Sequence, residues 1–199
     1  MSKTAQWDPV RELMKGTFPV TLDKRVSDWF YHSPQSLLNY LTYYKFCTKM
    51  IGAKRDVLHL DCKEGIGTYI LHTECGRAVG VAKDEEELEA IALNKYPNDF
   101  FLEESLDKSC KYDAVVCLEE EKISSEFSTE FVTDEGLVIL GLGDFTKVVG
   151  SDFKRAKELL KSGEETYTFL FSFSAQNEII KPGLIEGSNY YFFIGSKKR

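Results

Sequence analysis

The sequence predicts an α/β protein built on a mostly parallel sheet, and three observations carry that prediction. After Gly52, short apolar runs alternate with helical stretches, the signature of βα units. Glycines stand between the first apolar run and the helix that follows it. Two aromatic runs close the chain with no helix between them, which predicts antiparallel pairing there. With 199 residues, 43% of them hydrophobic, the chain can bury the core of one such domain.

Residues 1–54 read as an N-terminal helical preface or lid, and residues 55–199 as the α/β domain. The preface is polar up to Asp28 and then aromatic, with Trp29, Phe30, Tyr31, Tyr40, Tyr43, Tyr44 and Phe46. From Ser36, the positions Leu37, Leu38, Leu41, Tyr44, Met50 and Ile51 recur near helical spacing, and Ser33 before Pro34 marks a helix start. One amphipathic helix covering the sheet is expected, its aromatics placed to wall a pocket as well. Strands are expected over 57–60, 78–81, 100–102, 112–118 and 137–142, with helices through Tyr69, Ile70 and Leu71, over 84–96 and over 153–161. The runs 167–173 and 190–194 are joined by a turn-rich stretch holding Pro182, Gly183 and Gly187, and predict a hairpin closing the sheet edge.

Composition narrows the function classes. A net charge of -7 opposes nucleic-acid binding, which needs clustered Lys and Arg. The basic tail Lys197, Lys198, Arg199 is too short to reverse that. Cys47, Cys62, Cys75, Cys110 and Cys117 are odd in number and lack C-x-x-C spacing, so neither a disulfide framework nor a metal site is signalled and a reducing cytoplasm is expected. Residues 1–16 lack an apolar signal core, and no stretch approaches the roughly 18 apolar residues of a spanning helix. No membrane role is expected, while a protein partner or homodimer stays open.

Chemistry is expected on the segment 56–71, which contains Asp56-Val57-Leu58-His59-Leu60-Asp61-Cys62-Lys63-Glu64-Gly65-Ile66-Gly67-Thr68. Glycines between a buried strand and a helix let the backbone approach a ligand, and the free N–H groups of the helix face the same place. A plain tight βα turn has the same composition. The Walker spacing is absent, and Ile70 stands where a dinucleotide fingerprint needs its third glycine.

Read in order, VLHLDCKEGIGTYIL, AVGVAKDEEELEAIALNKY, KYDAVVCLEEE, DEGLVILGL and NYYFFIGSKK resemble the successive motifs of class I S-adenosylmethionine-dependent methyltransferases. SPQSLLNYLTYYKFCTKMIGAK looks like the helix before the first motif in branches acting on glycans and other small molecules. The resemblance spans 33–198. It implies a Rossmann-like seven-stranded, mostly parallel sheet with an antiparallel last strand and helices on both faces. It further implies S-adenosylmethionine as methyl donor and a small-molecule or glycan acceptor.

The resemblance also defines departures. The family's acid at the end of the first strand falls on His59, and the first two loop glycines on Asp61 and Lys63, leaving Gly65 and Gly67. The ribose-binding acid falls on Ala82, with Asp84 two residues later. Donor-binding candidates by this mapping are His59, Asp61, Gly65, Gly67, Asp84, Glu104 near the adenine, and Glu119 at the rim. Plainer readings stand beside them. His59 is equally a paired polar residue at the sheet end, Asp84-x-x-Glu87 fits a capping box, and Glu119, Glu120 and Glu121 form an acidic run. The donor's sulfonium and ammonium favour Asp61 and oppose Lys63, which Glu64 is placed to neutralise. A metal cluster of His59, Asp61 and Cys62 is disfavoured, because strand alternation splits neighbours between two faces. Lys122-Ile123 follows where relatives carry Glu-His, so no catalytic base is assigned. Methyl transfer is an in-line displacement that depends mostly on alignment. In the turn-rich stretch, Gln176 and Asn177 are either acceptor contacts or a solvated connection. The alternative function is a methyltransferase-like binding or scaffold protein without turnover.

Overall fold

The computed structural model describes residues 21–22, 24–118, 129–143 and 153–198. Its elements in chain order are α1 (Lys24–His32), α2 (Pro34–Ile51), β1 (Arg55–Leu60), α3 (Ile66–Cys75), β2 (Gly76–Ala82), α4 (Glu85–Ala92), β3 (Asp99–Leu102), β4 (Tyr112–Cys117), β5 (Val132–Gly143), α5 (Phe153–Thr166), β6 (Tyr167–Gln176), β7 (Ile179–Pro182) and β8 (Tyr190–Lys197). None of the described helices is long and apolar enough to cross a membrane.

Strand alternation builds the layers. Val57, Ala78, Ala114, Val116, Ile139, Tyr190 and Phe192 share one face and pack beneath α1, α2 and α3. Leu58, Val79, Val115, Val138, Leu140, Tyr191 and Phe193 point the other way, toward Ala156 of α5. Residues one apart thus serve opposite cores, as a period of two requires.

The strands form one sheet in the order β3-β2-β1-β4-β5-β8-β6-β7. β1 to β5 run parallel. β8 is antiparallel to both β5 and β6, so it is inserted between them and is not an edge. The expected antiparallel pairing of 167–173 with 190–194 forms, but away from the sheet edge, and the described residues make eight strands where seven were expected. The first six residues of β8 are buried, and such two-sided burial is available only inside the sheet. The edge hairpin is instead β6 with β7, turning through Asn177, whose φ of 52° is the left-handed state asparagine tolerates. Lys181 and Pro182 on β7 are residues that blunt an exposed edge.

The preface differs as well. One helix was expected, and two form among the described residues. Val26 and Trp29, three residues apart, are buried on one side of α1, a stripe too short for the aromatic pattern after Asp28 to reveal. α2 starts at Pro34 as expected, but the Ser33 hydroxyl meets the Ser36 hydroxyl at 2.7 Å and caps no backbone N–H. Tyr40, Tyr43 and Tyr44 of α2 are almost fully buried, and burial of each ring is worth roughly 3 kcal/mol. The charged helix expected over 84–96 is shorter, Glu85–Ala92. Three glutamates in its first turn suit the positive helix end, and Lys95 at φ 50° ends any continuation.

Candidate functional site

β1 delivers the chain to the carboxyl edge of the sheet, where α/β folds place ligands. The loop beyond it is left-handed at alternate positions: Asp61 at φ 54°, Lys63 at φ 50° and Gly65 at φ 82°. These are the positions mapped to the three family glycines. Holding an L-residue there costs on the order of 1–2 kcal/mol. Backbone bonds from Cys62 N–H to the Val81 carbonyl and from Gly65 N–H to the Cys62 carbonyl, both 2.9 Å, fix the shape. Gly65 is required twice over, by its φ and because a Cβ would stand 3.0 Å from Tyr96 and 3.2 Å from Phe100.

His59 is fully buried. Its Nε2 meets the Tyr44 hydroxyl at 2.9 Å and its Nδ1 meets the Thr68 hydroxyl at 2.8 Å. Burial lowers its pKa to about 3, so the ring is neutral, with one nitrogen donating and the other accepting. Ligand contact by His59 would have to displace one of these partners. Gly67, on α3, faces the Tyr44 ring so closely that a Cβ would overlap it.

Three ion pairs among the described residues hold the loop. The Asp61 carboxylate, 1% exposed, lies 3.0 Å from the Lys63 ammonium, which also lies 3.8 Å from Glu87. The Asp61 pair is at ionic distance without hydrogen-bond alignment, and neither carboxylate oxygen has a hydrogen bond among the described residues. Glu64 is buried and accepts from the Tyr40 hydroxyl, while Arg25 pairs with it at 3.2 Å. The guanidinium of Arg25 lies over Trp29 at 4.8 Å and over Tyr40 at 5.6 Å, a geometry that favours the cation. Burial and the Glu64 carboxylate hold the Tyr40 hydroxyl well above its ordinary pKa. The Asp61 and Glu87 carboxylates thus flank the Lys63 ammonium, and Arg25 pairs with Glu64.

Asp84 accepts from the Glu87 N–H at 2.9 Å, and the Glu87 carboxylate accepts from the Lys83 N–H at 2.8 Å. The first bond is the N-cap bond of a capping box; the second falls on the residue before the cap rather than on the cap itself. Asp84 also lines a cleft of about 670 Å³ with Lys83, Glu85, Leu102, Glu103, Glu104 and Lys108. A second cleft of about 650 Å³ shares Asp84 and runs between α1 and α4, past Arg25, Asp28, Trp29, Glu86 and Glu87.

Of the sequence-derived candidates, Asp84 and Glu104 thus share a cleft, and Lys63 and Glu87 link that cleft to Asp61 and Gly65. His59 and Gly67 sit beneath Tyr44. Glu119 lies outside the described residues. Gln176 and Asn177 occupy the β6–β7 turn, at the same sheet edge as the loop because β6 runs parallel to β5. A hydrogen bond from Gln35 to Glu178 at 2.6 Å ties that turn to α2. Arg25, Tyr40, Tyr44 and Thr68 were not candidates, and only the clustering of aromatics in the preface hinted at two of them. Among the described residues no group of three or more His, Cys, Asp or Glu could hold a metal ion.

No family model and no curated protein sequence matches the chain. Solved structures do. A possible histamine N-methyltransferase from Thermotoga maritima superposes with a TM-score of 0.63 at 14% identity, over 87% of this chain and 95% of that one. A TehB-like S-adenosylmethionine-dependent methyltransferase from Corynebacterium glutamicum does so with a TM-score of 0.60 at 15% identity, over 79% and 88%. A tRNA methyltransferase from Aquifex aeolicus gives 0.55 at 13% identity, over 79% and 69%. At such identities the likeness is one of fold: the chain has the Rossmann-like fold of class I methyltransferases.

The residues present fit an adenosyl donor in three respects: a buried carboxylate without hydrogen bonds at Asp61, a left-handed loop closed by Gly65, and an acidic cleft at Asp84 and Glu104. The Lys63 ammonium stands against its positive charge.

Proposed function

We propose that the protein binds S-adenosylmethionine at the carboxyl edge of β1 to β3 and transfers its methyl group to a small molecule or glycan. One observation carries this reading. The loop keeps three alternate left-handed residues although two are not glycine, a strain of roughly 2–4 kcal/mol in total that a mere turn does not require. Strain retained in this way is common where a backbone is shaped for a ligand.

In this reading the Gly65 backbone and the Asp61 carboxylate hold the donor's methionine end, Asp84 takes ribose hydroxyls, Glu104 lies by the adenine and Glu119 rims the pocket. The donor supplies a sulfonium methyl for in-line displacement. The chain contributes alignment and exclusion of water. The acceptor enters beneath α1 and α2. The tRNA enzyme among the fold neighbours keeps a nucleic-acid acceptor within reach of the fold, and the net charge of -7 speaks against one here. Titration calorimetry at millimolar S-adenosylmethionine and S-adenosylhomocysteine is expected to give saturable heat for both, and its absence sinks the reading.

A second reading, a binding or scaffold protein without turnover, is favoured by the neutral His59 in the acid's place and by the cation at Lys63. Donor consumption in a metabolite extract separates the two. Loss of the labelled methyl group supports transfer, and an intact bound donor supports the scaffold.

A further inference from the structure

We infer that Lys63 is a specificity-determining residue whose ammonium acts as a built-in cation at the Asp61 carboxylate, so that the site discriminates against positively charged adenosine ligands. This rests on the proposal that the loop is a donor site.

The geometry is self-contained. Lys63 is two residues from Asp61, and the left-handed backbone at both positions folds the side chain back along its own loop. Its ammonium reaches Asp61 at 3.0 Å and Glu87 at 3.8 Å, and the lysine side chain is only 18% exposed. The ammonium thus lies between two carboxylates supplied by two elements, the loop and the first turn of α4. Glu87 is held in place by its other oxygen, which accepts from the Lys83 N–H at 2.8 Å. Asp61 has no such second tie, since both its oxygens lack hydrogen bonds among the described residues. A buried carboxylate in that state demands a cation, and the chain supplies one from two residues away.

A ligand that brings its own positive charge to this loop meets an ammonium already there, at separations where screening by salt is incomplete. A neutral nucleoside meets only bulk. The site should therefore rank ligands by charge. S-adenosylmethionine carries a sulfonium besides the ammonium and carboxylate of its amino-acid end and is a net cation, S-adenosylhomocysteine keeps the ammonium and carboxylate without the sulfonium, and 5′-methylthioadenosine carries none of the three.

The test measures the dissociation constants of these three compounds by titration calorimetry for the full chain and for Lys63→Met, which keeps the length of the side chain and removes its charge. The expected result is an affinity for S-adenosylmethionine, relative to methylthioadenosine, about tenfold higher in the variant, with S-adenosylhomocysteine in between. Lys63→Arg, which keeps the charge, should preserve the wild-type ratios. If Lys63→Met fails to fold, Lys63→Gly is the substitute, because glycine accepts the φ of 50°. Unchanged ratios across the three ligands would overturn the inference and leave the donor reading standing. No binding of any ligand by any of these proteins would overturn both.

Discussion

Two regions of the sheet are built on opposite terms. Around β8, stability comes from apolar area: Tyr190 to Ile194 are buried without a break, and Phe192 packs on Tyr43, Phe46 and Tyr190 with ring centroids 4.8 to 5.3 Å apart. Around the β1 loop, two L-residues are left-handed and two buried carboxylates are each matched by one long basic side chain. Desolvation offsets much of the gain in such pairs, so that region adds little net stability for its charge. The difference separates what holds the fold from what shapes the site.

The sharpest way to break the comparison is at β8. Phe192→Ala should destabilise by about 3–5 kcal/mol, read as a lower midpoint in urea with an unchanged slope. A loss under about 1 kcal/mol would mean that the apolar region around β8 does not carry the fold.

His59 gives the next largest effect. Its folded pKa of about 3 lies below the unfolded value of roughly 6.5. Below pH 6.5 the unfolded chain takes up a proton that the native ring refuses, so stability falls as pH drops toward 3. Between pH 7 and 4.5 this amounts to roughly 3 kcal/mol. His59→Gln should flatten that part of the stability profile, measured by urea unfolding at several pH values.

Gly67→Ala drives a methyl group into the Tyr44 ring and threatens the Tyr44–His59 bond. A loss of about 1–3 kcal/mol is expected, with a changed His59 ring signal by NMR.

Asp61→Gly is the smallest effect and has the opposite sign. It relieves a left-handed L-residue and removes a buried carboxylate, so stability should rise by about 1 kcal/mol while affinity for S-adenosylmethionine falls. A fall in both would place Asp61 among the groups that hold the fold.

Much of the architecture was legible because it is written in short-range pattern. Val57 and Leu58 alternate between faces, and Gly65 follows a strand and opens a helix, so β1, the turn and α3 could be read within fifteen residues. The Asp84 and Glu87 spacing likewise announced the N-cap bond that Asp84 makes. α1 was not legible, because Val26 and Trp29 make too short a stripe to register as a period. β7 was missed because its four residues end in Pro182 and read as turn.

The sequence by itself determined the βα order and the two-faced strands, since periodicity decides these. Only the tertiary structure decided that β8 slots between β5 and β6, that His59 is neutral between Tyr44 and Thr68, and that Glu64 is held by Arg25. Those outcomes depend on side chains far apart in the chain meeting where water is excluded, and burial, not spacing, sets the strength of each contact.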